Sequence, residues 1–347
     1  VVRTFEEDAA MKIDATVMTA NLETIGPRAR QIEDIGYDGL YTAETQHDPF
    51  FPLVLAAGHT ERIDLGTAIA VAFPRSPMHL ANIGHDLQRY SKGRFILGLG
   101  SQIKAHIEKR FSSTFDRPAA RMRELILATR AIWHTWEEDE PLRFEGEFYR
   151  HTLMTPFFNP GRTGYGPPRV FLAAVGEKMT EVAGEVCDGM FVHGFTTEKY
   201  LRETTLPAIE RGLAKSGRSR ADIELAFPTF VVTGETDEEW QKADAAVREQ
   251  IAFYGSTPAY RPVLEAHGWG GVQDELNRLS KQGAWKEMGK VITDDIVDAF
   301  AVRGSAREVP GLILGRYGDL VDRIAFYAPY RSEPETWAGV VAGFKAS

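Results

Sequence analysis

From Met11 onward the chain repeats one device: a short run of apolar and β-branched residues, then a longer segment whose apolar residues recur at helical spacing. Strands that alternate with helices pair in parallel, because each helix carries the chain back to the starting edge of the sheet. Eight such units close a barrel better than they fill an open sheet. The expected fold is therefore α/β, a (β/α)8 TIM barrel with insertions.

The first strand is expected over Ile13–Met18, and Ile25, Ala29 and Ile32 mark the helix that Gly36 ends. Tyr37–Thr42 reads as the second strand, Pro52–His59 as a short helix, and Ile63–Val71 as the third strand. After a helix over Pro77–Tyr90, Arg94–Leu99 is a near-continuous apolar run of the kind buried on both faces, the fourth strand. Met122, Leu125, Ile126, Thr129, Trp133 and Trp136 form one helical stripe, so the two tryptophans read as core rather than as a stacking platform.

Residues 137–168 break this rhythm with a turn between two short strands at Phe144–Tyr149 and a Pro/Gly-rich loop, which marks an insertion. Arg169–Ala173, Gly189–His193 and Ile223–Thr233 continue as strands five to seven, with helices around Met179–Val186 and over 197–215. A second insertion, 236–303, is too long for a simple connection and reads as a lid or an oligomer contact, helical with a flexible centre around Gly268-Trp269-Gly270-Gly271. Leu320–Tyr327 is the eighth strand and 334–345 the last helix, with Pro310 awkwardly placed in the helix before that strand. Residues 1–10 read as an acidic leader before a single domain over 11–347.

Composition narrows the function. A formal net charge of −9 argues against general affinity for nucleic acid or an anionic membrane. No stretch approaches the ~20 apolar residues of a membrane span, and one cysteine, Cys187, cannot form an internal disulfide or a cysteine zinc site. The nine histidines are scattered and no H-E-x-x-H spacing occurs, so no metal site is expected. A cytoplasmic enzyme, forming a homo-oligomer and acting on a small molecule, is the expectation.

In a barrel of this kind the chemistry sits where the strands end. The second strand runs into Glu44-Thr45-Gln46-His47-Asp48, the fourth into Gly98-Leu99-Gly100-Ser101-Gln102, the fifth into Gly176-Glu177-Lys178, the sixth into His193-Gly194, and the eighth into Tyr327-Ala328-Pro329-Tyr330-Arg331. Gly98 and Gly100 fit two readings: backbone amides that approach a flat ring or a phosphate, or a tight strand-end turn. Ile103 where a third glycine would stand removes the dinucleotide fingerprint. Gly176-Glu177-Lys178 opens a helix whose free amides and dipole suit a phosphate. Histidine as a residue type can pass a proton near neutral pH, which makes His47 a candidate, with Glu44 close enough in sequence to fix its tautomer. Arg110, Arg117, Arg121 and Arg123, with Lys104 and Lys109, gather positive charge that reads as an anion-attracting patch or as a solvated helix face.

Tyr41-Thr42-Ala43-Glu44-Thr45-Gln46-His47-Asp48-Pro49-Phe50, then Leu65-Gly66-Thr67-Ala68-Ile69, then Leu97-Gly98-Leu99-Gly100-Ser101-Gln102 form an ordered set that resembles the luciferase-like monooxygenase superfamily. Ile103–Phe111, Arg117–Glu124 and Leu172–Gly176 resemble its actinobacterial branch of F420-dependent oxidoreductases, and the resemblance spans about residues 11–346. It implies a (β/α)8 barrel with an insertion after strand seven. It further implies a non-proline cis peptide at Ala68–Ile69 behind an isoalloxazine-like ring, and an acidic residue near that ring at Glu44. Ring contacts map to Gly100, Ser101 and Gln102, and phosphate contacts to Gly176, Glu177 and Lys178, with His193 and Gly194 also at the cofactor. Sugar-phosphate dehydrogenases of the family carry a glutamate proton donor where Ile103 stands, so that activity is not implied.

The resemblance thus implies hydride transfer between the deazaflavin coenzyme F420 and an organic substrate, with His47 and Glu44 as catalytic residues. An FMN-dependent monooxygenase using reduced flavin and oxygen is the alternative, and a non-catalytic flavin or deazaflavin binding protein is a second one. Nothing in the two insertions names the substrate.

Overall fold

The computed structural model describes residues 11–18 and 21–346; the proposed leader, residues 1–10, lies outside them. Among the described residues twelve strands are formed: β1 Lys12–Val17, β2 Gly39–Thr42, β3 Asp64–Thr67, β4 Ala70–Val71, β5 Phe95–Gly100, β6 Phe144–Glu145, β7 Arg150–His151, β8 Arg169–Ala174, β9 Gly189–Val192, β10 Glu224–Val232, β11 Ala301–Arg303 and β12 Arg323–Tyr327. The main sheet runs β10-β12-β1-β2-β3-β5-β8-β9, and a pairing of β9 with β10 closes it, giving the (β/α)8 barrel that the alternating pattern predicts. β6 and β7 form the separate antiparallel hairpin of the first insertion.

By contact density the chain divides into two units. One comprises residues 14–191 and 208–224. Here each strand is followed by a helix, at Ile25–Ile35, Phe50–His59, Pro77–Tyr90, Pro118–Glu138 and Glu177–Val186. Every residue of β5 is buried, as its continuous apolar run requires. Trp133 and Trp136 are core residues at 2% and 1% exposure, with the Trp133 indole N–H donating to the Ala81 carbonyl at 3.0 Å. The expected third strand is interrupted: β3 stops at Thr67, the Ala68–Ile69 peptide is cis, and pairing resumes at β4.

The other unit comprises residues 192–207 and 225–346 with the start of β1. The helix expected over 197–215 begins here as a short turn at Glu198–Tyr200 and a π-helical stretch, Leu201–Thr205. The second insertion is a helical assembly with its own core, in which Val247, Ile251, Leu264, Leu276, Val297 and Phe300 pack with Phe195, Phe230 and Val232. The segment expected as its flexible centre forms a joint between two helices. Gly268, at φ +77°, follows the helix Arg261–Glu265, His267 stacks on Trp269 with ring centroids 4.5 Å apart, and Gly270 opens the helix Gly270–Lys281. The insertion also ends in a strand, β11, which pairs with the last residues of β10. Pro310 stands in the first turn of Val309–Tyr317, where its missing N–H has no helical acceptor to lose.

Candidate active site

In the first unit the segment after β2 is turned by two local bonds. The Thr42 hydroxyl donates to the Pro49 carbonyl at 2.7 Å, and the Phe50 N–H donates to Asp48 at 2.8 Å as the next helix begins. Glu44 does not pair with His47. Its carboxylate accepts the Val71 N–H at 2.7 Å and the Arg75 guanidinium at 2.7 Å, while Arg75 also donates to Asp48 at 3.0 Å. The Glu44 side chain is 8% exposed and that of Arg75 17%, so the charges meet largely out of water, where a charge-assisted bond is strong. Two backbone bonds add to this brace: Glu44 N–H to the Ile69 carbonyl at 3.1 Å, and Ala68 N–H to the Thr42 carbonyl at 2.8 Å. His47 and Gln46 are exposed, and neither side chain has a hydrogen-bond partner among the described residues.

The glycines at the end of β5 answer first to their neighbouring strand. A Cβ at Gly98 would stand 1.7 Å from the Thr67 carbonyl oxygen, and one at Gly100 would stand 2.8 Å from the Ile69 side chain. The space that a side chain would need at these two positions is taken by β3 and the peptide after it, so packing alone requires glycine there. Ser101 donates to the Gln102 carbonyl at 3.2 Å, and Gln102, at φ +54°, turns the chain into Lys104–Lys109. Ile103 is 60% exposed and offers no proton.

After β8, Gly176 adopts φ +79° and ψ +150°, a conformation close to glycine-only, and starts the helix Glu177–Val186 without a side-chain cap. Nothing lies within 4 Å of the position its Cβ would take. The Glu177 carboxylate turns away to Arg211 at 2.6 Å, and Lys178 is exposed without a partner among the described residues. The first-turn amides and Lys178 thus suit an anion. The basic patch reads mainly as paired surface: Arg110 donates to the Thr45 carbonyl, Arg117 to Glu147 and Arg123 to Glu185. Cys187 is fully buried, which pushes its thiol up to about 12, and no group of potential metal ligands occurs among the described residues.

In the second unit His193 follows β9. Its Nδ1 accepts the Phe195 N–H at 3.0 Å, so the proton of the neutral ring belongs on Nε2, which lies 3.1 Å from the Tyr260 hydroxyl. Burial pushes its pKa down to about 4 and keeps the ring uncharged. His193 stacks on Tyr260 with centroids 4.5 Å apart and meets Tyr254 edge-on at 5.0 Å, while the Tyr254 and Tyr327 hydroxyls share a 2.8 Å hydrogen bond. A Cβ at Gly194 would come 3.1 Å from the Tyr327 ring, so Gly194 seats that ring.

Sequence reasoning missed Arg75, Tyr254 and Tyr260. Arg75 lies 31 residues from Glu44, and only the strand register brings them together. The tyrosines lie inside an insertion without a motif, although Tyr327 stood visibly at the end of the eighth strand.

Residues 7–323 match the family model described as luciferase-like monooxygenase. An uncharacterized protein of Mycobacterium tuberculosis is 53% identical over 314 residues, covering 90% of this chain and 92% of that protein. The 5,10-methylenetetrahydromethanopterin reductase of Archaeoglobus fulgidus is 30% identical over 80% of this chain and 81% of its own length. Among solved structures, the coenzyme F420-dependent tetrahydromethanopterin reductase of Methanopyrus kandleri superposes with a TM-score of 0.77 at 21% identity, over 97% of both chains.

Proposed function

Because the chain belongs to the luciferase-like monooxygenase family, we propose that this enzyme transfers a hydride between deazaflavin coenzyme F420 and a small organic substrate. The observation that carries the reading is the uncapped helix start at Gly176, open to its surroundings and next to an unpaired lysine. F420 is a phosphate-bearing cofactor, and backbone amides with a helix dipole are a suitable donor set for such a group. A Mycobacterium tuberculosis relative named as a putative coenzyme F420-dependent oxidoreductase, 30% identical over 80% of this chain, makes the deazaflavin the preferred cofactor.

When bound, the deazaflavin would supply two-electron hydride chemistry, which no side chain here can perform. The protein's part is to hold and orient. Gly176, Glu177 and Lys178 would take the phosphate through two or three amides and one ammonium. Ala68 and Ile69, with Gly100, Ser101 and Gln102, would flank the ring, on a frame kept in place by the brace of Glu44 and Arg75. Glu44 acts here as a positioning residue, because its carboxylate is already committed. His47, exposed and unpaired, is free to exchange a proton with substrate or solvent.

The test is titration of the purified protein with F420 and, in parallel, with FMN, followed by the absorbance and fluorescence of each. Saturable F420 binding with weaker FMN binding is expected. FMN binding without F420 binding would replace this reading with the flavin monooxygenase, and no binding of either would end it.

A further inference from the structure

Counting protons in the aromatic cluster after β9 leaves two without an acceptor. His193 Nδ1 is occupied by the Phe195 N–H, so Nε2–H donates to Tyr260 and the Tyr260 hydroxyl keeps its own proton to give. In the Tyr254–Tyr327 pair one hydroxyl proton fills the 2.8 Å bond and the other has no acceptor among the described residues. All four side chains are half-buried, so their polar ends are neither sealed in the core nor freely hydrated. Half-buried hydroxyls that still have a proton to give can donate it to a ligand oxygen.

The cluster also lacks charge. Arg261, the residue after Tyr260, is held by Glu265 and Asp274. His193 stays neutral down to about pH 4, and burial raises the Tyr260 phenol to about 12 and Tyr327 further still, so these three side chains carry no charge near neutral pH. Phe195 and Phe230 pack against these rings, at 5.6 Å from Tyr260 and 4.6 Å from Tyr327, and give the cluster an apolar base. Neutral donors on an apolar aromatic floor suit a planar carbonyl compound and penalise a carboxylate or phosphate, whose charge would be desolvated without compensation.

We propose that the hydroxyls of Tyr260 and of the Tyr254–Tyr327 pair form a binding site for the oxygen of an uncharged, planar carbonyl compound, with His193 as the residue that positions Tyr260. Naming this compound as the substrate rests on the oxidoreductase reading; its binding does not.

Acetophenone and benzoate form a matched pair of probes, similar in shape and different in charge. Their dissociation constants are measured by saturation-transfer NMR titration of the whole protein and of the variants Tyr260→Phe, Tyr254→Phe and Tyr327→Phe. Acetophenone should bind at least tenfold more tightly than benzoate, and Tyr260→Phe should weaken it by about fivefold, the usual worth of one hydrogen bond. The phenylalanine variants keep the ring and its packing, and circular dichroism melts identify any that fail to fold; the remaining variants then decide the outcome. Benzoate binding as tightly as acetophenone, unchanged affinity in all folded variants, or no acetophenone binding up to its solubility would each overturn the proposal. F420 titrated into the same samples separates the two readings, since F420 binding without acetophenone binding removes this site and leaves the function.

Discussion

The Glu44 carboxylate accepts the Val71 backbone N–H at 2.7 Å, although 27 residues separate the two. With Arg75 on the same oxygen, this one side chain joins the end of β2 to β4 on the far side of the Ala68–Ile69 peptide. Glu44→Gln would keep an acceptor for the amide and remove the charge opposite Arg75. Loss of about 1–3 kcal/mol is expected, read as a lower urea midpoint with an unchanged slope. A midpoint equal to that of the parent would show that the brace carries no weight.

Gly98 and Gly176 are both required to be glycine, for different reasons. Gly98→Ala would drive a methyl group into the Thr67 carbonyl, which is backbone and cannot rotate away, so little soluble protein is expected. Gly176→Ala meets no atom and should fold, at a cost of about 1–3 kcal/mol from its backbone conformation alone. Soluble yield and thermal melts of the two variants compare them directly. Equal yields would contradict the crowding described at Gly98.

His193 makes stability depend on pH. Its folded pKa of about 4 lies below the ordinary 6.5, so between those values the unfolded chain binds the proton and the folded one does not. Stability should therefore be full above pH 6.5 and fall as pH drops towards 4. The shift of 6.5 − 4 = 2.5 units sets an upper bound of about 3 kcal/mol. In His193→Asn this part of the profile should flatten, and urea titrations at pH 7.5 and 4.5 measure it. An identical slope in the variant would assign the acid sensitivity to other groups.

Lys178 offers a test of the proposed phosphate contact that leaves the fold alone, because its side chain is exposed and has no partner among the described residues. Lys178→Ala should raise the F420 dissociation constant about two- to fivefold at low salt, with the difference shrinking as salt screens the charge. No difference at low salt would move the phosphate elsewhere.

The barrel was legible because its signals are local and repeated: apolar runs such as Phe95–Leu99 and helical stripes such as Met122–Trp136 need only neighbouring residues to be recognised. The positions of the strand-end loops followed from them, and the cis peptide at Ala68–Ile69 followed from family resemblance. Partnerships across strands were not legible. Sequence proximity suggested that Glu44 would hold His47, whereas strand register gives it to Val71 and Arg75. At Gly268–Gly271 the sequence shows only glycine density, whereas the joint between two helices and the stacking of His267 on Trp269 depend on how the flanking segments fold. The phenols of the second insertion carry no motif, since their shared property is where three helical and strand segments put them.

The loop after β2 is anchored through main-chain atoms as well as through Glu44 and Asp48: Thr45 gives its carbonyl to Arg110 and its hydroxyl to the Met18 carbonyl, while the exposed side chains of Gln46 and His47 have no hydrogen-bond partner among the described residues. We propose that His47 meets a reactant, and neither it nor Gln46 holds the loop in place through a side-chain hydrogen bond to another described residue. Substitution there can alter chemistry without a tax on folding, so a small library randomised at 46 and 47 offers a direct route to new reactivity on this barrel.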